Sequence, residues 1–294
     1  MALARIAATR RRRALARRKP SRAVRRANSA TEPRAAALAL TRLIHKRLEL
    51  VERAVEELIF PALDELAIPE EPPAFRITKE PPEGFREDAP TLPVDYIRRR
   101  LGTIELRLGA IFDEDALGDD LDVIGKRVSR KNYNALKRVV GISIETADPG
   151  VAALVDGWRA GNVDKITSLV GKELTEITKL LESAGAVGLR VEQLRDQIRD
   201  RFGVTKSKAA LLARDQTLTL NAQIARQRQQ NLGIQEYIWS TSGDGRVRET
   251  HADLDGTTQR WDNPPEMSED GRRGHPGDDY QCRCTAFPVL PELA

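Results

Sequence analysis

Cysteine is almost missing from this 294-residue chain. Cys282 and Cys284 are the only two, with a single residue between them. A disulfide framework has no material to work with, and a reducing compartment is the simpler expectation. Aromatic residues make up only 4% while charged residues make up 31%. That balance fits helices with a solvated exterior better than a broad β-sandwich. No long uncharged apolar run occurs, so neither a membrane span nor a membrane partner is expected. Histidine is scarce as well, at three residues, and acidic residues are wholly lacking from residues 1–30.

That acid-free segment holds eleven basic groups: Arg5, Arg10, Arg11, Arg12, Arg13, Arg17, Arg18, Lys19, Arg22, Arg25 and Arg26. Elsewhere 37 basic residues face 44 acidic ones, so the net charge of +4 comes from the tail alone. Such a run repels itself and is attracted to polyanions, which predicts a disordered tail over residues 1–34. Nucleic-acid contact, docking on an acidic protein surface, and a targeting role all remain open for it. The "RR" pairs lack the apolar segment of a secretory signal.

Beyond the tail, Leu40, Ile44, Leu48, Val51, Val55 and Ile59 recur at steps of three and four, predicting an amphipathic helix within residues 35–68. His45 on that helix has no candidate ligand near it. Residues 69–93 carry Pro69, Pro72, Pro73, Pro81, Pro82, Pro90 and Pro93 and read as an extended linker or arm. A helical domain over 94–233 follows. Ile97, Leu101, Ile104, Leu108 and Ile111 open it, and "DEDALGDD" reads as a helix-end charge cluster, lacking the ligand order of a Ca²⁺ loop. Further helices are expected over 151–160, over 162–183 with Asn162 as N-cap, over 191–202 ending at Gly203, and over 206–231. Gly185 and Gly188 are read as breaks.

After Gly233 the pattern changes. "EYIWSTS", "TTQRW" and "CRCTAFPVL" are short strand candidates separated by turn residues, so residues 234–294 read as a small β-rich module. The fold class is therefore mainly α: a helical body, an extended Pro-rich arm, and a small C-terminal α+β module.

Two of the three histidines and both cysteines fall in this module. His251, His275, Cys282 and Cys284 are candidate Zn²⁺ ligands, since imidazole and thiolate suit that ion and a small module gains most from a metal staple. The Cys-x-Cys spacing departs from the usual Cys-x-x-Cys knuckle. A packing reading stays open, with turn histidines and two small buried thiols. A third reading joins His251 to Asp244, Asp253 and Asp255 as a Mg²⁺ site for phosphodiester hydrolysis. Zn²⁺ is the one cofactor the residues suggest for the module's stability.

The order "ALLARDQTLTLNAQIARQRQQNLGIQEY", "IWSTSGDGRVRETHADLDG" and "HPGDDYQCRC" resembles the phage head-morphogenesis family, the Mu F-like minor head proteins. Trp239, Asp244, Arg246, Arg248, His251, Leu254, Gly256, His275, Pro276, Cys282, Arg283 and Cys284 carry the likeness, which covers roughly residues 150–290. The resemblance implies a structural, non-enzymatic protein of a virion or procapsid interior, made in the bacterial host cytoplasm. Its implied partners are the portal protein, other head proteins and double-stranded DNA held by the basic tail. Trp239, Asp244, Arg246, Arg248, Asp253 and Gly256 are then expected to form the core and turns of the module, with Arg246 and Arg248 pairing to Asp253 and Asp255 or facing phosphate. Some relatives carry a toxin domain after this module; about ten residues follow Cys284 here, and none is expected.

Overall fold

The computed structural model describes residues 33–65, 113–140, 148–187 and 191–290, with residues 99–100, 102–104 and 109. The basic tail through residue 32, the Pro-rich arm, and Ile97, Leu101, Leu108 and Ile111 lie outside the described residues. The described chain is mainly helical: α1 (Arg34–Leu58), α2 (Phe60–Glu65), α3 (Glu114–Val140), α4 (Val151–Val187) and α5 (Val191–Asn231). A small α+β stretch follows, with β1 (Glu236–Ser240), α6 (Glu249–Leu254), β2 (Thr258–Arg260) and β3 (Thr285–Val289). None of the described helices is long and apolar enough to cross a membrane.

Compactness divides the chain differently from composition. One unit comprises residues 42–117 and 163–209; the other comprises residues up to 41, 118–162 and 210–294. In the first unit, Ile44, Leu48, Val51, Val55 and Ile59 are buried at the spacing that selects one face of α1. Ile166, Val170, Leu174, Ile177 and Leu181 do the same on α4, and Leu194, Ile198 and Phe202 on α5. The charge inside this unit is paired: buried Glu173 accepts from the Thr205 hydroxyl at 2.6 Å and meets Arg201 Nε at 3.0 Å. His45 Nε2 bonds the Lys206 carbonyl at 2.9 Å, a local structural role.

Several expected helix ends are absent. α4 runs through Asn162, whose side-chain amide donates to the Trp158 carbonyl one turn back at 2.8 Å instead of capping an N-terminus. It also runs through Gly185, and α5 runs through Gly203. A glycine inside a helix costs only about 1 kcal/mol, less than the packing of the neighbouring apolar face returns. True ends carry real caps. Asp113 Oδ1 accepts the N–H groups of Asp115 and Ala116 at the start of α3. At the end of α5, Gly233 has φ 73°, and the bonds Ile234 N–H to Gln229 O and Gly233 N–H to Gln230 O make a Schellman cap.

In the second unit, Arg228 of α5 is 2% exposed, and its charge is fully engaged. It donates to Asp148 Oδ1 at 2.6 Å, to the Ser129 carbonyl at 2.7 Å, to Ser129 Oγ at 2.9 Å and to Asn132 Oδ1 at 3.2 Å. These four bonds engage most of the five N–H donors of the guanidinium and offset much of the cost of burying its charge. The sheet has strand order β2-β1-β3 and is antiparallel throughout, with Tyr237 opposite Gln259 and Pro288, and Trp239 opposite Ala286. Strand alternation sends Tyr237 and Trp239 to the same buried face. There they meet Trp261, Met267, Cys282 and Cys284 in one small core.

Candidate metal centre

Three short pieces of chain bring the scarce residues together. Both cysteines are buried, while the Arg283 guanidinium reaches Asp244 with two bonds of 2.5 and 2.6 Å. The Cys-x-Cys spacing thus serves a shared target, since both sulfurs lie close to His251 Nδ1. The six-residue α6 carries His251 as its buried residue. Such a helix has too few apolar residues to show a period, which is why the sequence did not reveal it. Thr250 Oγ1 donates to the Met267 carbonyl at 2.8 Å, and Asp255 Oδ1 accepts Thr241 N–H at 2.8 Å, fixing both ends of α6.

His251 Nδ1 lies 3.7 Å from Cys282 Sγ and 3.5 Å from Cys284 Sγ. The three donor atoms fall within 4.8 Å of one another. On the opposite ring edge, Nε2 stands 3.7 Å from Asp279 Oδ2. Trp239 packs edge-on against the imidazole with ring centroids 5.4 Å apart. Asp279 is held by Arg272 at 2.9 Å and Arg248 at 3.2 Å. Burial pushes its carboxyl up, but the Arg272 hydrogen bond, Arg248 and the Tyr280 N–H outweigh that and leave it below its usual range.

The two sulfurs influence each other strongly. A hydrogen bond from Cys284 holds the Cys282 thiol down to about 5 against its burial, helped by His251 and the Gly277 N–H. Cys284 is pushed up by that same neighbour and by burial. The lowering of one thiol and the raising of the other are one coupled effect of two sulfurs sharing a hydrogen bond in a buried site.

His275 is not part of this group. Its Nδ1 bonds the Tyr237 hydroxyl at 2.8 Å, and the ring also bonds the Trp261 backbone. Burial and then Arg226 lower its proton affinity, so the neutral ring is favoured. Of the four candidate ligands, the structure gathers His251, Cys282 and Cys284 and sets His275 in the aromatic core between Tyr237 and Trp261.

The remaining expected residues fall as follows. Trp239 is fully buried. Asp244 receives Arg283, and its Oδ1 also accepts the Arg246 N–H at 3.2 Å. Gly256 has φ 78° and its N–H donates to the Trp239 carbonyl at 2.8 Å. Arg248 pairs with Asp279 rather than with Asp253 or Asp255 and bonds the Tyr280 carbonyl, while Asp255 accepts the Thr241 N–H. Asp279 and Asp215 were invisible to spacing rules. Asp215 Oδ1 of α5 accepts the Gln281 N–H at 2.7 Å across 66 residues of chain, fastening the cysteine segment to the helix. Gln281 has φ 57°, a conformation that needs such support.

Residues 175–287 match the family described as Phage Mu protein F like protein. This span is Mu F-like. It contains the whole of α5 and of the His251, Cys282 and Cys284 cluster, and the family is one of phage head morphogenesis. A Haemophilus influenzae protein, described as uncharacterized, is 35% identical over 158 residues, which is 53% of this chain and 34% of that protein. The match thus spans about a third of that relative's length. No solved structure matches the chain.

Proposed function

We propose that this chain is a structural minor head protein of a tailed phage or phage-like particle. In this reading it works in the procapsid or virion, formed in the bacterial cytoplasm, and associates with the portal and other head proteins during assembly, packaging or delivery. The observation that carries the reading is the Mu F-like span over residues 175–287. The arrangement of the module supports a structural role. Asp244 is occupied by Arg283, Asp255 by the Thr241 backbone, and His251 faces two sulfurs and Asp279. A Mg²⁺-dependent nuclease would need His251, Asp244, Asp253 and Asp255 to converge on one ion.

The basic tail supplies the DNA contact in this account. Packaged DNA is a dense polyanion, and eleven cationic groups would bind it chiefly by counterion release. Affinity should then fall steeply with salt, and removal of residues 1–30 should flatten that dependence.

The test is protein mass spectrometry on particles produced from the gene cluster that encodes the chain, with and without the gene. The expected result is a few copies per particle and a loss of DNA-filled particles on deletion. Absence of the chain from both procapsids and particles, with unchanged yield on deletion, would overturn the reading. A parallel assay incubates the full chain with double-stranded DNA and Mg²⁺. Cleavage that disappears in Asp253→Asn and Asp255→Asn would replace the structural role with the nuclease. The structural role expects these two variants to be far milder than Cys282→Ser or Cys284→Ser.

A further inference from the structure

The buried trio of His251, Cys282 and Cys284 has a specific geometry. A tetrahedral Zn²⁺ with bonds of about 2.05 Å to nitrogen and 2.3 Å to sulfur places those two donors roughly 3.6 Å apart. The observed separations from His251 Nδ1 are 3.7 and 3.5 Å. Hydrogen bonds between an imidazole and two thiols do not require both sulfurs to converge on one nitrogen, whereas a shared metal does.

The surroundings agree. The Gly277 N–H points at Cys282 Sγ at 3.4 Å, the way backbone amides support metal-bound thiolates. Asp279 stands behind Nε2, the far side of the ring from the sulfurs, and is itself held by two arginines. At 3.7 Å the carboxylate is too far for a hydrogen bond in this arrangement, but it is the acceptor toward which the Nε2–H of a metal-bound imidazole would turn. His251 Nε2 is buried with no hydrogen-bond partner within reach. Soft thiolates with one imidazole favour Zn²⁺ over hard oxygen-seeking cations.

We propose that His251 Nδ1, Cys282 Sγ and Cys284 Sγ bind one Zn²⁺ ion, that Asp279 positions the imidazole, and that His275 is not a ligand. Among the described residues no fourth His, Cys, Asp or Glu joins the group. The two cysteines border a cavity of about 390 Å³ that also touches Thr241, Ala222 and Phe287. A water from that cavity would take the fourth position of the tetrahedron. The ion ties α6 to the segment before β3, in a core of only six buried hydrophobic residues, where a metal link adds most.

The test uses the full chain, untagged and kept reduced. Elemental analysis should find about one zinc per chain. After metal removal, Co²⁺ titration should give intense visible bands of tetrahedral cobalt with thiolate charge transfer in the near ultraviolet. His251→Ala and Cys284→Ser should abolish this spectrum, His275→Gln should retain it, and Asp279→Asn should weaken Co²⁺ affinity about 10–100-fold. The wild-type titration does not depend on any variant folding. A folded, reduced wild-type chain that holds no zinc and gives no cobalt spectrum overturns the proposal. So does a Cys282–Cys284 disulfide found in chain trapped by alkylation at lysis, or loss of the spectrum in a folded His275→Gln protein. This outcome is independent of whether the chain is found in phage particles.

Discussion

Among its described residues, the unit formed by residues 42–117 and 163–209 fills its interior mostly with Ile, Leu and Val on helix faces, and its buried carboxylate Glu173 has Arg201 and Thr205 as partners. The segment from β1 to β3 fills its interior with Tyr237, Trp239, Trp261, Met267 and two cysteines, with His251 and His275 wedged among the rings. An aliphatic interior has no direction, so another hydrophobe of similar volume serves nearly as well. An interior of rings, thiols and imidazoles has donors and acceptors that must each find a particular partner. The difference teaches where the chain tolerates change. The helical unit should lose stability in proportion to volume removed, and the module should lose it in proportion to broken pairings.

Gly277→Ala should have the largest effect, because it breaks the junction of the module with α5. The residue has φ 94°, and an added Cβ would sit 2.2 Å from the Ala222 Cβ. Strain and overlap together predict a loss of about 3–5 kcal/mol in urea unfolding, with faster exchange concentrated after residue 235. Leu48→Ala tests the other side of the comparison. It should cost about 2–4 kcal/mol and raise exchange in α1 and the first half of α5, leaving the sheet protected. Asp215→Ala removes the acceptor for the Gln281 N–H and should cost about 1–3 kcal/mol, loosening residues 281–284 selectively.

Acidity provides a finer probe. His275 takes up a proton less readily in the folded chain than its ordinary value of 6.5. The unfolded chain therefore binds the proton first, and stability should be full above about pH 6.5 and fall as pH drops below it. His275→Gln should remove that part of the slope, as followed by thermal melting between pH 5 and about 7.5. Asp244→Asn should have the smallest effect. Its carboxyl is held well below the usual range by Arg283 and the Arg246 N–H, but the pair faces solvent. Salt screens such a pair, so only a slight drop in melting temperature is expected, smaller still in high salt.

The regularity of the helical unit made it legible. The run from Ile44 to Ile59 announces its buried face, and the alternation in "EYIWS" announces β1. Asn162, Gly185 and Gly203 misled because capping and breaking propensities are small against the packing of a long apolar face. In the module, clustering of scarce residues pointed to the stretch where His251, Cys282 and Cys284 come together, but spacing alone could not separate His251 from His275. That separation depends on Tyr237 and Trp261, which occupy one imidazole, and on α6, which aims the other. Asp215 and Asp279 act across the fold on groups that local patterns do not connect to them.

On the zinc proposal, the interior of the module is held by a metal and that of the helical unit is not. Hydrogen exchange of the full reduced chain, with and without a zinc chelator, tests this directly. The predicted result is faster exchange in β1, α6 and β3 after chelation, with residues 44–59 and 166–202 unchanged. Identical exchange in both conditions, or an equal rise in both regions, would contradict it.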